Sequence, residues 1–192
     1  MAAQTILIIR HAEKPVQNGA YGVDESGAAD TESLTPAGWQ RAGAWAEYFA
    51  PSSGRETSLP RPTTLFASNP DQHDDQATAE DDGGKSRRPL QTIAPLAAKL
   101  NLEIDSSIAK RKMQKLAAAL TAVDGTALVC WQHEVIIDIV DAIAPLLPGV
   151  PDKWPGDRFN VIFRLDRPDE MSPWKFQQIV PVLLGGDLSK PI

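Results

Sequence analysis

Thr5-Ile6-Leu7-Ile8-Ile9-Arg10-His11-Ala12-Glu13 is the stretch on which the reading of the fold turns. Its first five residues are apolar or β-branched with no polar alternation, the pattern of a strand buried on both faces in a parallel sheet. An arginine, a histidine and a glutamate follow where that strand must end. In an open parallel sheet the ligand crevice lies beyond the carboxyl ends of the strands. Arg10 and His11 therefore stand where chemistry is done rather than where a core is packed.

Working outward, residues 126–131 repeat the pattern, with Ala127-Leu128-Val129-Cys130-Trp131 followed by Gln132-His133-Glu134. The chain has only three histidines, and two of them, His11 and His133, directly follow buried strand candidates. Residues 63–67 predict another strand, ending at Ser68, and residues 160–165 and 176–183 predict two more. Between them lie helical patterns. Thr35 and Pro36 suit the cap and first position of a helix whose Ala42, Trp45, Ala46 and Phe49 share one face. Further helices are expected from Arg88 to Leu100, where Pro95 should introduce a kink, over 110–123, and from Glu134 to Leu147. Alternating strands and helices predict a single α/β domain over 1–192, a three-layer α/β/α sandwich with a mostly parallel central sheet. Residues 69–86 carry six acids and almost nothing apolar, so they are read as a flexible acidic surface insertion.

Composition narrows the function. The 192 residues are 42% hydrophobic and 23% charged, with a formal net charge of -6. An acidic chain is a poor general binder of nucleic acid, but a few arginines in one pocket can still hold a small phosphorylated substrate. No apolar run reaches the ~18 residues needed to cross a bilayer. The first residues have neither a basic region nor a cleavage site of a signal peptide, so a cytoplasmic location is expected. The single cysteine, Cys130, reads as a small buried hydrophobe. His73 with Asp71, Asp74 and Asp75 reads as a solvated charge run rather than a metal site. Neither a Gly-x-Gly-x-x-Gly pattern nor a P-loop is present.

Two histidines and two arginines at one rim of a sheet suit phosphoryl transfer. A neutral imidazole attacks phosphorus to give a phosphohistidine. Guanidinium groups hold the phosphoryl oxygens in bidentate fashion, and a second imidazole adds a hydrogen bond. Such a site calls for no metal and no cofactor.

Arg10-His11-Ala12-Glu13 resembles the signature of the histidine phosphatase superfamily, also called phosphoglycerate-mutase-like. Leu34-Thr35-Pro36-x-Gly38-x-x-Arg41-Ala42, Arg88-x-x-Gln91-Thr92 and Gln132-His133 after a buried strand resemble three further motifs of that family in the same order. The resemblance implies that His11 is the nucleophile and that Arg10, Arg88 and His133 surround the phosphoryl group. It implies a phosphomonoester or phosphoramidate hydrolase acting on a small phosphorylated compound or a phosphoprotein. A phosphoglycerate-mutase-type phosphotransferase and a non-catalytic phosphate- or phosphoprotein-binding module are the alternatives.

The chain departs from the family pattern twice. The acidic insertion separates Ser68 from Arg88, as a lid or as tolerated length. The segment after the second-arginine helix, Asp105 to Lys112, offers no glutamate as general acid, and Lys110, Arg111 and Lys112 follow instead. Glu134 is the candidate acid, against the plainer reading of a charge at a helix start. Lys14 is a candidate substrate-binding cation. Glu13 reads as one half of a structural ion pair. Trp131, Trp154 and Phe159 read as core.

Overall fold

Alternation along each strand sends neighbouring side chains to opposite faces, and here both faces are covered. In this computed structural model, which describes residues 3–54, 57–71 and 85–192, six strands form one sheet. They are β1 (Gln4–Arg10), β2 (Thr64–Asn69), β3 (Ile104–Ala109), β4 (Gly125–Trp131), β5 (Ile162–Arg167) and β6 (Lys175–Ile179), in the order β3-β2-β4-β1-β5-β6. The first four run parallel to one another, β5 pairs antiparallel to β1, and β6 antiparallel to β5. Five strands thus share one direction.

Four helices cover the sheet: α1 (Pro36–Phe49), α2 (Arg88–Leu100), α3 (Met113–Thr121) and α4 (Ile136–Ile143). Leu7, Ile9, Leu65, Ala67, Leu128 and Cys130 pack with Trp45 and Phe49 of α1 and with Ile93 and Leu96 of α2. The alternate residues Ile6, Ile8, Phe66 and Val129 pack with Leu116 and Leu120 of α3 and with Ile136, Ile139 and Val140 of α4. The architecture is the expected three-layer α/β/α sandwich. Thr35 caps α1, its Oγ1 accepting from the Gly38 amide at 3.2 Å, with Pro36 in the first turn.

Several boundaries move. Strand β3 is not expected from the sequence, because Ile104-Asp105-Ser106-Ser107-Ile108-Ala109 is short and polar, as suits an edge strand with one covered face. Its register with β2 shifts between the Phe66–Asp105 and Ser68–Ile108 pairs, a bulge close to the strand ends. The helix expected from 110 starts at Met113, since Ala109 and Lys112 close a turn through an amide–carbonyl bond of 3.0 Å. The helix expected from Glu134 opens instead with a 3-10 turn, His133–Val135, and α4 stops at Ile143 ahead of Pro145. Helix α2 continues through Pro95 to Leu100 as one element. The final strand ends at Ile179, short of Pro181. Most of the acidic insertion, His73 with it, lies outside the described residues. Among the described residues no helix is long and apolar enough to cross a membrane.

Candidate active site

The site is assembled at the carboxyl ends of β1, β4 and β2. Arg10 is paired with Trp131 in the ladder, and the His11 amide extends that ladder by donating to the Trp131 carbonyl at 3.0 Å. Hence His11 lies beside Gln132 and one residue from His133.

Backbone groups hold His11. Its Nδ1 lies 2.7 Å from the Ala12 carbonyl oxygen. A carbonyl only accepts, so Nδ1 carries the proton and Nε2 keeps its lone pair. The residue is 3% exposed. Burial first, then the charge of Arg10 and, behind the opposing Ala12 hydrogen bond, that of Arg88, holds the imidazole well below its usual pKa. His11 is therefore neutral at neutral pH.

Arg10 is fully buried, and its Nη1 donates to the carbonyls of Pro155, Gly156 and Arg158 at 3.2, 2.7 and 3.3 Å. The guanidinium rests on the Phe159 ring, 4.0 Å from its centroid. Phe159, expected in the core, instead carries this cation, while Trp131 and Trp154 are core residues as expected. Burial lowers the pKa of Arg10 to about 10, which leaves it charged at neutral pH. Among the described residues its Nε and Nη2 have no hydrogen-bond partner, nor do Ser68 Oγ and the two amide atoms of Gln132. These buried polar atoms lie at adjoining strand ends; all but the acceptor Gln132 Oε1 can donate, and buried donors of this kind fit an oxyanion.

Helix α2 brings the second arginine. The Ala12 amide donates to Thr92 Oγ1 at 2.9 Å, and that hydroxyl donates to the Arg88 carbonyl at 2.7 Å. One threonine thus ties the first turn of α2 to the loop after His11. Arg88 is buried and donates to Ser86 Oγ and to the Thr31 carbonyl, both at 2.9 Å, and lies 3.5 Å from Glu32.

His133 opens the 3-10 turn with its side chain 21% exposed. A side chain placed on Gly156 would come within 3.7 Å of His133 Nε2. Since Gly156 also accepts from Arg10, the two cradle one space. Glu134 is not a free acid. Its Oε1 lies 2.6 Å from Lys110 Nζ and its Oε2 3.0 Å from His133 Nδ1. Burial raises a carboxyl's pKa, but here the His133 contact and the Lys110 ion pair outweigh it and hold Glu134 well below the usual carboxylate range. A carboxylate clamped by an ammonium is a poor proton donor, which weighs against the expected general acid at Glu134.

Lys14 is exposed on the loop after β1, outside this buried group. Glu13 makes the expected ion pair, 2.7 Å from Arg41, whose guanidinium also donates to both oxygens of Asp187 at 2.9 and 2.8 Å. The network straps the C-terminal segment to the loop after His11. Cys130 is buried, and burial pushes its thiol pKa up, so it is inert packing. Among the described residues no three of His, Cys, Asp or Glu gather as they would to hold a metal ion. Gln132, Phe159 and Lys110 escaped the sequence reading as parts of the site. Gln132 adjoins His133, and Lys110 follows a strand that was not expected.

No protein-family model matches the chain, and neither does any curated protein sequence. Its fold does match solved structures. The protein histidine phosphatase SixA, complexed with tungstate, aligns with a TM-score of 0.54 at 16% identity, covering 92% of this chain and 96% of that one. A mycobacterial glucosyl-3-phosphoglycerate phosphatase aligns with a TM-score of 0.51 at 14% identity, covering 91% and 97%. The likeness at these identities is one of fold.

Proposed function

Since the chain has the histidine phosphatase, or phosphoglycerate-mutase-like, fold, we propose that it is a hydrolase of phosphomonoesters or phosphoramidates working through a phosphohistidine on His11. The observation that carries this reading is the state of His11: buried, neutral, with Nδ1 spent on the Ala12 carbonyl and Nε2 left basic. The unpartnered donors of Arg10 support it.

In the first step His11 Nε2 attacks phosphorus, a P–N bond forms, and the bond to the leaving group breaks; that group departs with the electron pair and takes a proton from solvent where its basicity requires one. In the second, water attacks phosphorus and gives up a proton to solvent, the P–N electrons return to Nε2, and inorganic phosphate leaves. Arg10 and Arg88 carry the charge on the phosphoryl oxygens, and the His133 ring adds a donor at Nε2. Ser68 and Gln132 extend the donor set. The reaction needs no metal.

The ionised Glu134 favours substrates whose leaving groups need little protonation. A phosphorylated imidazole and an aryl phosphate are such groups, and SixA is by name a protein histidine phosphatase. Phosphohistidine, free or in a protein, is the substrate class proposed, with the enzyme acting in the cytoplasm as a single domain. Lys14, exposed at the rim, is available to a substrate's further anionic groups.

The test is turnover of p-nitrophenyl phosphate with EDTA present. The wild type is expected to hydrolyse it and His11→Ala to lose activity. Equal turnover by both proteins would remove His11 from the mechanism, and phosphate binding with no turnover of any phosphorylated compound would make the chain a binding module.

A further inference from the structure

Lys110 and Glu134 have no part in the two steps above, yet they touch the site. Lys110 follows β3 just beyond its bulge, and its carbonyl accepts from Trp131 Nε1 at 2.9 Å. Its side chain is 3% exposed. Burying an ammonium is costly unless it is paired, and this one is paired with Glu134 Oε1 at 2.6 Å. The other carboxylate oxygen stands 3.0 Å from His133 Nδ1. Lysine and imidazole thus meet the two oxygens of one carboxylate.

We propose that Lys110 is a positioning residue for His133 and acts through Glu134. The inference rests on the phosphatase reading of the site. Glu134 is 43% exposed at its side chain and sits on a turn of three residues, so the backbone alone does not fix its rotamer. The buried ammonium fixes one oxygen and thereby aims the other at His133. His133 Nδ1 has no aligned hydrogen-bond partner among the described residues, but the carboxylate oxygen 3.0 Å away only accepts, so the contact favours a proton at that nitrogen. A proton held at Nδ1 leaves Nε2, on the side of Gly156 where the Arg10 cradle begins, to donate to a phosphoryl oxygen when the ring carries a second proton there. Lys110 thereby sets the orientation of a ring it does not touch.

The test combines spectroscopy with kinetics on Lys110→Met, Lys110→Arg, Glu134→Gln and the double variant Lys110→Met/Glu134→Gln. Imidazole ¹⁵N NMR of the free protein reads the His133 tautomer without requiring turnover. The Nδ1–H form is expected in the wild type and Lys110→Arg, with a tautomer mixture in Lys110→Met and Glu134→Gln. With p-nitrophenyl phosphate, each of those two is expected to lower kcat about tenfold, as supporting residues do, with little change in KM. Lys110→Arg should recover most of it. The double variant should be no worse than the worse single one, because two residues acting through one contact are not additive.

Multiplicative losses in the double variant would overturn the proposal. So would a His133 tautomer unchanged in Lys110→Met, whether or not its melting temperature falls. If Lys110→Met does not fold, Glu134→Gln against Lys110→Arg gives the same decision. If the wild type turns over nothing, the phosphatase reading fails separately and the tautomer measurement alone decides for or against Lys110.

Discussion

The two histidines of the site are held in opposite ways. His11 is 3% exposed at the end of a strand with partners on both sides, and its ring is fixed by a backbone carbonyl. His133, with its side chain 21% exposed, stands on a three-residue turn and lies 3.0 Å from the carboxylate next to it. In the proposed mechanism the group that forms and breaks a covalent bond stands at the end of a strand paired on both sides. The group proposed to follow charge on oxygen stands where its neighbours are side chains. The first arrangement comes with the fold, and the second, as proposed, depends on Glu134 and Lys110.

That contrast can be broken most severely at the nucleophile. His11→Ala is expected to lower kcat/KM for p-nitrophenyl phosphate by about 10⁵-fold or more, since a covalent catalyst has no understudy. His133→Ala should cost about 10²–10³-fold, the loss of one oxyanion donor. Losses of equal size from both would erase the distinction drawn between them. Arg10→Lys is expected to fall in the same range as His133→Ala. One ammonium can satisfy neither three carbonyls and the Phe159 face nor a phosphoryl oxygen at once.

Smaller effects sharpen the comparison. Thr92→Val removes the acceptor of the buried Ala12 amide and should destabilise the fold by about 1–3 kcal/mol in urea unfolding, with kcat falling as the loop after His11 loosens. No loss of stability would show that this loop is held elsewhere. The pH dependence separates the histidines as well. Only neutral His11 attacks, and its pKa is lowered, so the acid limb of kcat/KM that belongs to His11 should lie below the usual imidazole value of 6.5. The sign for stability follows: the unfolded chain takes up the His11 proton first, so this contribution is complete above pH 6.5 and is lost as pH falls below it. An acid limb at 6.5 that vanished in His11→Asn, read on the residual activity, would place a normal imidazole at position 11.

How much of this was legible in the sequence depends on what kind of interaction carries it. Strands β1 and β4 were plain because a strand covered on both faces must be apolar throughout, and Arg10, His11 and His133 could be placed because such strands end in the crevice. Thr35 with Pro36 announced the start of α1 through a local hydrogen bond. Strand β3 was hidden, for an edge strand needs only one apolar face, and Ser106 and Ser107 at its bulge blurred even that. With β3 went Lys110, which reads as one base among three until the strand before it is known. The same holds for Glu134. Its position after His133 is visible in sequence, but its partner lies 24 residues away, and that partner turns a candidate acid into a fixed carboxylate. Phe159 was assigned to the core because nothing local says that a guanidinium lies on its face.

The central claim is that His11 becomes phosphorylated during turnover. Brief mixing with a radiolabelled phosphoryl donor, followed by alkaline quench and peptide mapping, tests it directly. The account predicts an acid-sensitive, base-stable label on the peptide containing His11, trapped in the wild type and absent from His11→Ala. Turnover with no such label under rapid quench, or a label that persists in His11→Ala, would contradict it.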